Sequence, residues 1–203
     1  MSSGALKVAV ERRSVRKYQL EAVSSDVLGR ILEAARWAPS AHNAQPWRFV
    51  VLRERHVKRR LAEAMARAWD RDLQEDGAPR DVRESLTQAS MERFTSAPIV
   101  VIACLTMGEV EGYPDERRRG AERTMAIQSV AAAIQNMLLA AHGEGLGACW
   151  FCAPLFCPEV VRETLEIPAE VEPQALITLG RPAEKPDPPP RKALESMVHY
   201  DRW

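Results

Sequence analysis

Apolar residues recur along this chain in two rhythms. Val27, Leu28, Ile31, Leu32 and Ala35 return at steps of three and four, which places them on one face of a helix. Ser24 or Ser25 can cap its start, because a short hydroxyl accepts from an unsatisfied N–H of the first turn. Pro39 lies where the pattern stops. A shorter helix is allowed from Leu6 to Arg13, and KYQLEAV reads as an extended link between the two. WRFVVLRE is aromatic and β-branched, which predicts a strand from Trp47. Val57, Leu61, Met65, Ala68 and Trp69 then mark a second amphipathic helix. GAPRD breaks it, and a more polar helix is expected from Asp81 to Phe94. Pro98 opens IVVIACL, which is apolar at nearly every position and predicts a strand covered on both faces.

EGYPDERRRG predicts a charged surface turn. From about Glu122 to His142 the chain is rich in alanine and apolar round most of a helix, with Gln128, Gln135 and His142 leaving one polar line. A helix of that kind is buried. Burial between two subunits achieves this most easily, so a homodimer is expected. GEGLGACWF reads as a glycine-rich turn into a short strand, PEVVRETLEI as a helix started by Pro158, and PQALITLG as a third core strand. Residues 181–203 include AEKPDPPPRK, too proline-rich for helix or central strand. They predict an extended arm whose Tyr200 and Trp203 need a surface, which a partner subunit would supply. The elements do not alternate as βαβ. The expectation is one α+β domain over residues 1–203, with 181–203 as a dimer arm.

Composition narrows the function classes. The 203 residues are 46% hydrophobic and 28% charged, as in an ordinary soluble domain. Twenty-eight basic and 28 acidic residues cancel, so there is no electrostatic footprint for nucleic acid. The local runs RERHVKRR and RRR have acidic neighbours and read as solvated helix faces. The N-terminus is a poor secretion signal. Met125 to Ala141 is interrupted by Gln128, Ser129, Gln135 and Asn136, and reads as too polar and short to span a membrane. A cytoplasmic protein is expected. Cys149, Cys152 and Cys157 stand among aromatic and apolar residues in CWFCAPLFC, and read as buried, inert thiols; neither a redox pair nor a metal site is favoured.

Familiar catalytic templates are missing: no GxGxxG follows the first strand, and there is no GxxxxGK[ST], HExxH or GxSxG. Two stretches carry candidate chemistry. In RRSVRKY, Arg12, Ser14 and Arg16 can converge on one anion, since arginine offers a planar fork for phosphate and serine adds a hydroxyl; a solvated basic turn is the plain alternative. In APSAHNAQPW, Ser40, Asn43 and Gln45 offer hydrogen-bonding groups to a planar heterocycle, on a loop held by Pro39 and Pro46; a self-capping turn is the alternative, and His42 alone is weak evidence for a base.

RRSVRKY followed by APSAHNAQPWRFVV resembles the nitroreductase family of FMN-dependent flavoproteins. GEGLGACWF, ALITLGRP and PPPRK match later landmarks of that family in order, over nearly the whole chain. MERFTSAPIVVIACLTM, GYPDERR and the long helix resemble more narrowly the flavin domain at the C-terminus of F420-0:gamma-glutamyl ligase proteins and its stand-alone relatives; ligase activity is not implied. The family resemblance implies a mixed sheet flanked by helices, and an intertwined homodimer with two FMN sites at its interface. Arg12, Ser14 and Arg16 would hold the phosphate and ribityl chain, with Arg13 touching the flavin from the same strip. Pro39, Ser40, Ala41, Asn43 and Gln45 would line the isoalloxazine and ribityl groups, often from the other subunit. Trp150, Phe151, Cys152 and Ala153 would pass near flavin N5, where many members have an acidic residue or glycine followed by glycine. Arg191 would return to the phosphate. No metal and no protein nucleophile are implied. The reaction implied is ping-pong hydride transfer from NAD(P)H, or coenzyme F420 in its reduced form, to a nitroaromatic, a quinone or an unsaturated cofactor precursor such as a dehydro-F420 compound. A flavin carrier or sensor without turnover is the alternative.

Overall fold

The computed structural model describes residues 4–203. A four-stranded sheet runs in the order β1 (Trp47–Leu52), β2 (Ile99–Thr106), β4 (Val171–Gly180), β3 (Gly147–Phe151), with every neighbouring pair antiparallel. A parallel bridge from Ser14 to Ala148 extends β3 outward and makes the sheet mixed. The β2–β4 register slips between Ala103 and Cys104, because Cys104 faces Pro173. Proline cannot donate to a ladder, so a bulge there costs little.

All eight residues of β2 are buried, as a strand apolar at every position but its last, Thr106, leads one to expect. Ile99, Val101, Ala103 and Leu105 point to one face, against α2 (Ser25–Arg36) and α5 (Glu116–Gly143). Val100, Ile102 and Cys104 point to the other, against α3 (Arg55–Glu75), α4 (Arg80–Ser96) and α6 (Pro158–Leu165). A short α1 (Gly4–Glu11) precedes them. Ser24 caps α2 through its side chain, accepting from Val27 N.

Three expectations are corrected. First, α5 begins at Glu116, inside the stretch read as a surface turn. Asp115 caps it, accepting from Arg118 N at 2.9 Å, and its first turns are charged because they project beyond the core. Second, the apolar circumference of α5 is not fully covered: Ile127, Gln128 and Gln135 are exposed together, a wider face than one polar line. By length and composition α5 could cross a membrane, yet Val130, Ala133, Ile134 and Met137 are core residues. Third, Lys58 in the run read as a solvated face is buried, and its Nζ donates to Ala97 O at 2.6 Å and Pro98 O at 3.0 Å. Burial pulls its pKa down, followed by repulsion from Arg55.

The C-terminal arm divides in two. Arg181 to Glu184 lie on the chain's own N-terminal segment: Gln19 N donates to Arg181 O and Ala183 N to Lys17 O, each at 2.9 Å. Every residue from Asp187 onward is exposed.

Candidate functional site

The outer edge of β3 gathers the first set of candidate residues. Val15 N donates to Ala148 O, which fixes the strip Arg12–Arg16 alongside the strand. Gly147 permits the approach: a Cβ there would lie 2.7 Å from the Val15 side chain. The Cys149 thiol feels the charges of Arg16 and Arg12, the Ser14 hydroxyl and the charge of Arg93. Burial pushes the Cys149 pKa up, and these four groups partly offset it. Arg13 instead turns back, donating to Val10 O and Arg12 O. The backbone amides of Arg16 and Lys17 both donate to Oε1 of Glu184, at 2.8 and 3.2 Å.

Two cavities open beside this edge. One, of about 800 Å³, is lined by Arg16, Lys17, Arg55, Lys58 and Arg93, with Glu92 the single carboxylate. The other, of about 720 Å³, holds Arg12 and Arg13 beside Gly147 and the tail from Glu184 to Pro188. Arg191 does not line it, is exposed, and makes no bond to Arg12, Ser14 or Arg16.

The second set forms the loop before β1. His42, Asn43 and Gln45 all have positive φ, at 52°, 54° and 45°. Three left-handed non-glycine residues so close together are strained, and such strain persists only where surroundings hold it. Ser40 supplies two holds: its carbonyl accepts from Asn43 N, and its Oγ from Gln45 N at 3.1 Å. Ala41 N reaches Ser129 Oγ on α5 at 3.4 Å. His42 stands between two carboxylates, with Nδ1 3.6 Å from Glu111 and Nε2 3.6 Å from the buried Glu122. Pro39 and the side chains of Asn43 and Gln45 are exposed. Among the described residues Gln45 Nε2 reaches only Asn43 O, at 3.4 Å.

The two sets lie far apart in one chain. The loop enters β1 at Trp47, opposite Leu105; the strip meets β3 at Ala148, aligned with Leu179 and so with Ile99. Ile99 and Leu105 are ~20 Å apart along the strand, and β1 and β3 are ~14 Å apart across the sheet. The strips therefore occupy opposite corners.

At the exit of β3 the cysteine expectation needs correction. Cys104 and Cys149 are buried, but Cys152 is exposed and Cys157 half-buried. Burial, then the charges of Asp72 and Glu159, push the Cys157 thiol up to about 11. Phe151, Cys152 and Ala153 line a third cavity, of about 480 Å³, with Arg93 on its wall as well. Arg93 was missed in the sequence. Its only signal was a cation in the last turn of a helix just before a core strand.

Among the described residues, two buried donors at this edge lack a hydrogen-bond partner: Arg12 Nη1 and Trp150 Nε1, flanking Ser14 and Cys149. Orphaned buried donors are rare and imply an acceptor. Convergent guanidiniums, a serine hydroxyl and a glycine cradle fit a phosphate-bearing flavin, so the residues present fit FMN.

Comparison with known proteins agrees. The profile of the nitroreductase family matches residues 9–181. An NADH dehydrogenase of Thermus thermophilus is 33% identical, over 94% of this chain and 92% of its own length. A structure from Desulfovibrio desulfuricans, named provisionally as a nitroreductase and solved with FMN, is 26% identical with a TM-score of 0.75, covering 100% of this chain and 99% of that one. A BluB-like flavoprotein from Clostridium difficile shares the fold at a TM-score of 0.83 and 24% identity, over 99% of this chain and 100% of its own. With the profile spanning both candidate strips and all four strands, the chain belongs to the nitroreductase family and has its FMN-binding α+β fold.

Proposed function

We propose that the chain is an FMN-dependent oxidoreductase that takes hydride from reduced nicotinamide and passes it, in a ping-pong cycle, to a nitroaromatic, a quinone or an unsaturated cofactor-type acceptor. The observation that carries this reading is the β3 edge, where the Arg12–Arg16 strip lies alongside Ala148, Arg16 and Arg93 line one basic cavity, and Arg12 Nη1 has no partner among the described residues. Flavin supplies the hydride chemistry when bound; the protein supplies position and charge. Arg12 and Arg16 hold the phosphate by charge-assisted hydrogen bonds. Arg93, between the basic cavity and the β3 exit, places positive charge where reduction builds negative charge. Trp150 to Ala153 pass the reacting edge, and the exposed Cys152 packs there as a thiol.

The working unit of this proposal is a homodimer. Opposite corners of one sheet cannot both touch one flavin, whereas two copies can bring the Asn43–Gln45 loop of one to the Arg12–Arg16 strip of the other. The exposed face of α5 and the free end of the tail, with Arg191, then gain a surface. A cytoplasmic setting is part of the proposal, supported by the need for reduced nicotinamide and by cysteines that stand as free thiols.

One experiment tests the reading. Flavin is released with acid from purified protein and identified by chromatography, and the holoprotein is mixed anaerobically with NADH, NADPH and reduced coenzyme F420. FMN near one per chain and bleaching within seconds by a nicotinamide are expected. FAD, or no flavin after reconstitution, overturns the proposal. Correctly loaded FMN that no donor reduces would favour a carrier or sensor. Reoxidation of the reduced flavin is then followed with a nitroaromatic, a quinone and a dehydro-F420 precursor, the last because the narrower sequence resemblance implies it.

A further inference from the structure

The cavity of about 480 Å³ at the β3 exit lies between α3, α4 and the short 3-10 turn Ala153–Phe156. Its walls are apolar and aromatic. Phe94 and Phe151 meet edge to face, with centroids 5.2 Å apart, above the buried Met65. Trp69 and Phe156 stand at the rim, 37% and 80% exposed. A volume of this size suits a ligand of one or two rings.

Its charges are separated. Arg93 stands at the end nearest β3, where it also acts on Cys149. Asp72 stands at the other end, where it acts on Cys157. Asp76 joins it as the C-cap of the 21-residue α3, so the helix's terminal carbonyls add negative charge to the same rim. Among the described residues no hydrogen bond or ion pair engages the side chains of Arg93, Asp72 or Asp76. Three unpaired charges around one aromatic slot ask for a ligand of complementary pattern.

We propose that this cavity seats the electron acceptor, and that the acceptor it selects is an aromatic quinone or nitro compound with a cationic ammonium group at the end remote from the reducible oxygens. The oxygens face Arg93, the ring lies between Phe94, Phe151 and Met65, and the ammonium sits among Trp69, Phe156, Asp72 and Asp76. Aromatic faces attract a cation by their quadrupole, and the carboxylates add to it. The inference rests on the oxidoreductase reading above, since Cys152 and Ala153 are what join the cavity to the reacting edge. A quinone gains a hydride and a proton to become the hydroquinone; a nitro group gains a hydride and a proton and loses water to become the nitroso group; in both, reduced nicotinamide loses the hydride and solvent supplies the proton.

The test uses FMN-loaded protein, reduced anaerobically, and three benzoquinones carrying a trimethylammonium, a tert-butyl or a sulfonate group on the same alkyl spacer. The spacer keeps their reduction potentials alike. The concentration that half-saturates reoxidation is read for each. The cationic quinone should saturate at about tenfold lower concentration than the neutral one, from a cation–π contact and exposed ion pairs, and the sulfonate should be poorest. In the double variant Asp72→Asn, Asp76→Asn the cationic-to-neutral ratio should fall to within about twofold. Equal saturation by all three, or a ratio that survives the double substitution, overturns the inference. Calorimetry with the trimethylammonium hydroquinone needs no turnover, and must show the same loss in the double variant. Failure of flavin loading or of nicotinamide reduction appears separately, because dithionite can supply the electrons.

Discussion

On the face of the sheet under α2 and α5, the inward side chains are small or aliphatic and almost wholly enclosed. Ala103, Ala133, Ala175 and Ile177 expose nothing, and α5 can lie close because alanines line it. On the face under α3, α4 and α6 the enclosed set is smaller, and aromatic residues at its border open into cavities. Both faces obey one rule, burial of apolar surface, and differ in how far it is carried. The first is the larger and more fully enclosed scaffold. The second stops short, and the unfilled space carries the unpaired charges. The cavity that the proposal assigns to the acceptor lies where packing is incomplete.

The largest expected effect separates the two faces. Ile177→Ala leaves a void in the filled face and should cost ~2–5 kcal/mol in denaturant unfolding. Trp69→Ala removes more atoms at the cavity rim but should cost less than half as much, since Trp69 is partly in water already. Equal losses would break the comparison. A middle effect belongs to the edge where the faces meet. In Gly147→Ala the new methyl meets Val15, and ~1–3 kcal/mol of overpacking should be shed by displacing the Arg12–Arg16 strip. Flavin content should fall with it; Val15→Ala in the same chain should not restore it, since the Val15 Cβ itself lies 2.7 Å from the new methyl, whereas Val15→Gly should. Flavin retained at wild-type level in the single variant would show that the strip does not depend on this contact.

The smallest effect lies on the rim of the filled face. Arg36, then Trp37, hydrogen-bond the Glu33 carboxylate and hold its pKa down to about 2. A depressed carboxylate pKa adds stability above the unfolded value and loses it as pH falls. The increment is therefore complete above about 4.5 and disappears through about 2. The thermal midpoint gap between the wild type and Glu33→Gln should narrow from pH 6 to pH 3. A gap that ignores pH would assign the effect to packing instead.

Most of the scaffold was legible because burial writes itself into periodicity. The α2 stripe, the uninterrupted β2 and the Pro158 start of α6 each follow from local residue choice. The first turns of α5 were not legible, because a helix end that projects into solvent has no apolar period. Nor was Lys58: its burial depends on two carbonyls about 40 residues away, Ala97 and Pro98. At the site, the strip and the loop announced themselves by residue type, with proline, serine and arginine in unusual density. Their separation to opposite corners was invisible, since it is a property of strand order. Arg93 and the cavity escaped for a related reason. A void is made by residues from three distant segments, and each segment alone reads as ordinary helix or turn.

The corner-to-corner placement of strip and loop has a consequence for inheritance if the active unit is a pair of chains. A lesion in Arg12–Arg16 and a lesion in Asn43–Gln45 then fall in separate complementation groups within a single gene. A cell carrying both alleles assembles mixed pairs. One of the two sites in each pair takes both broken strips, and the other takes both intact ones. Two defective copies together would yield activity that neither yields alone.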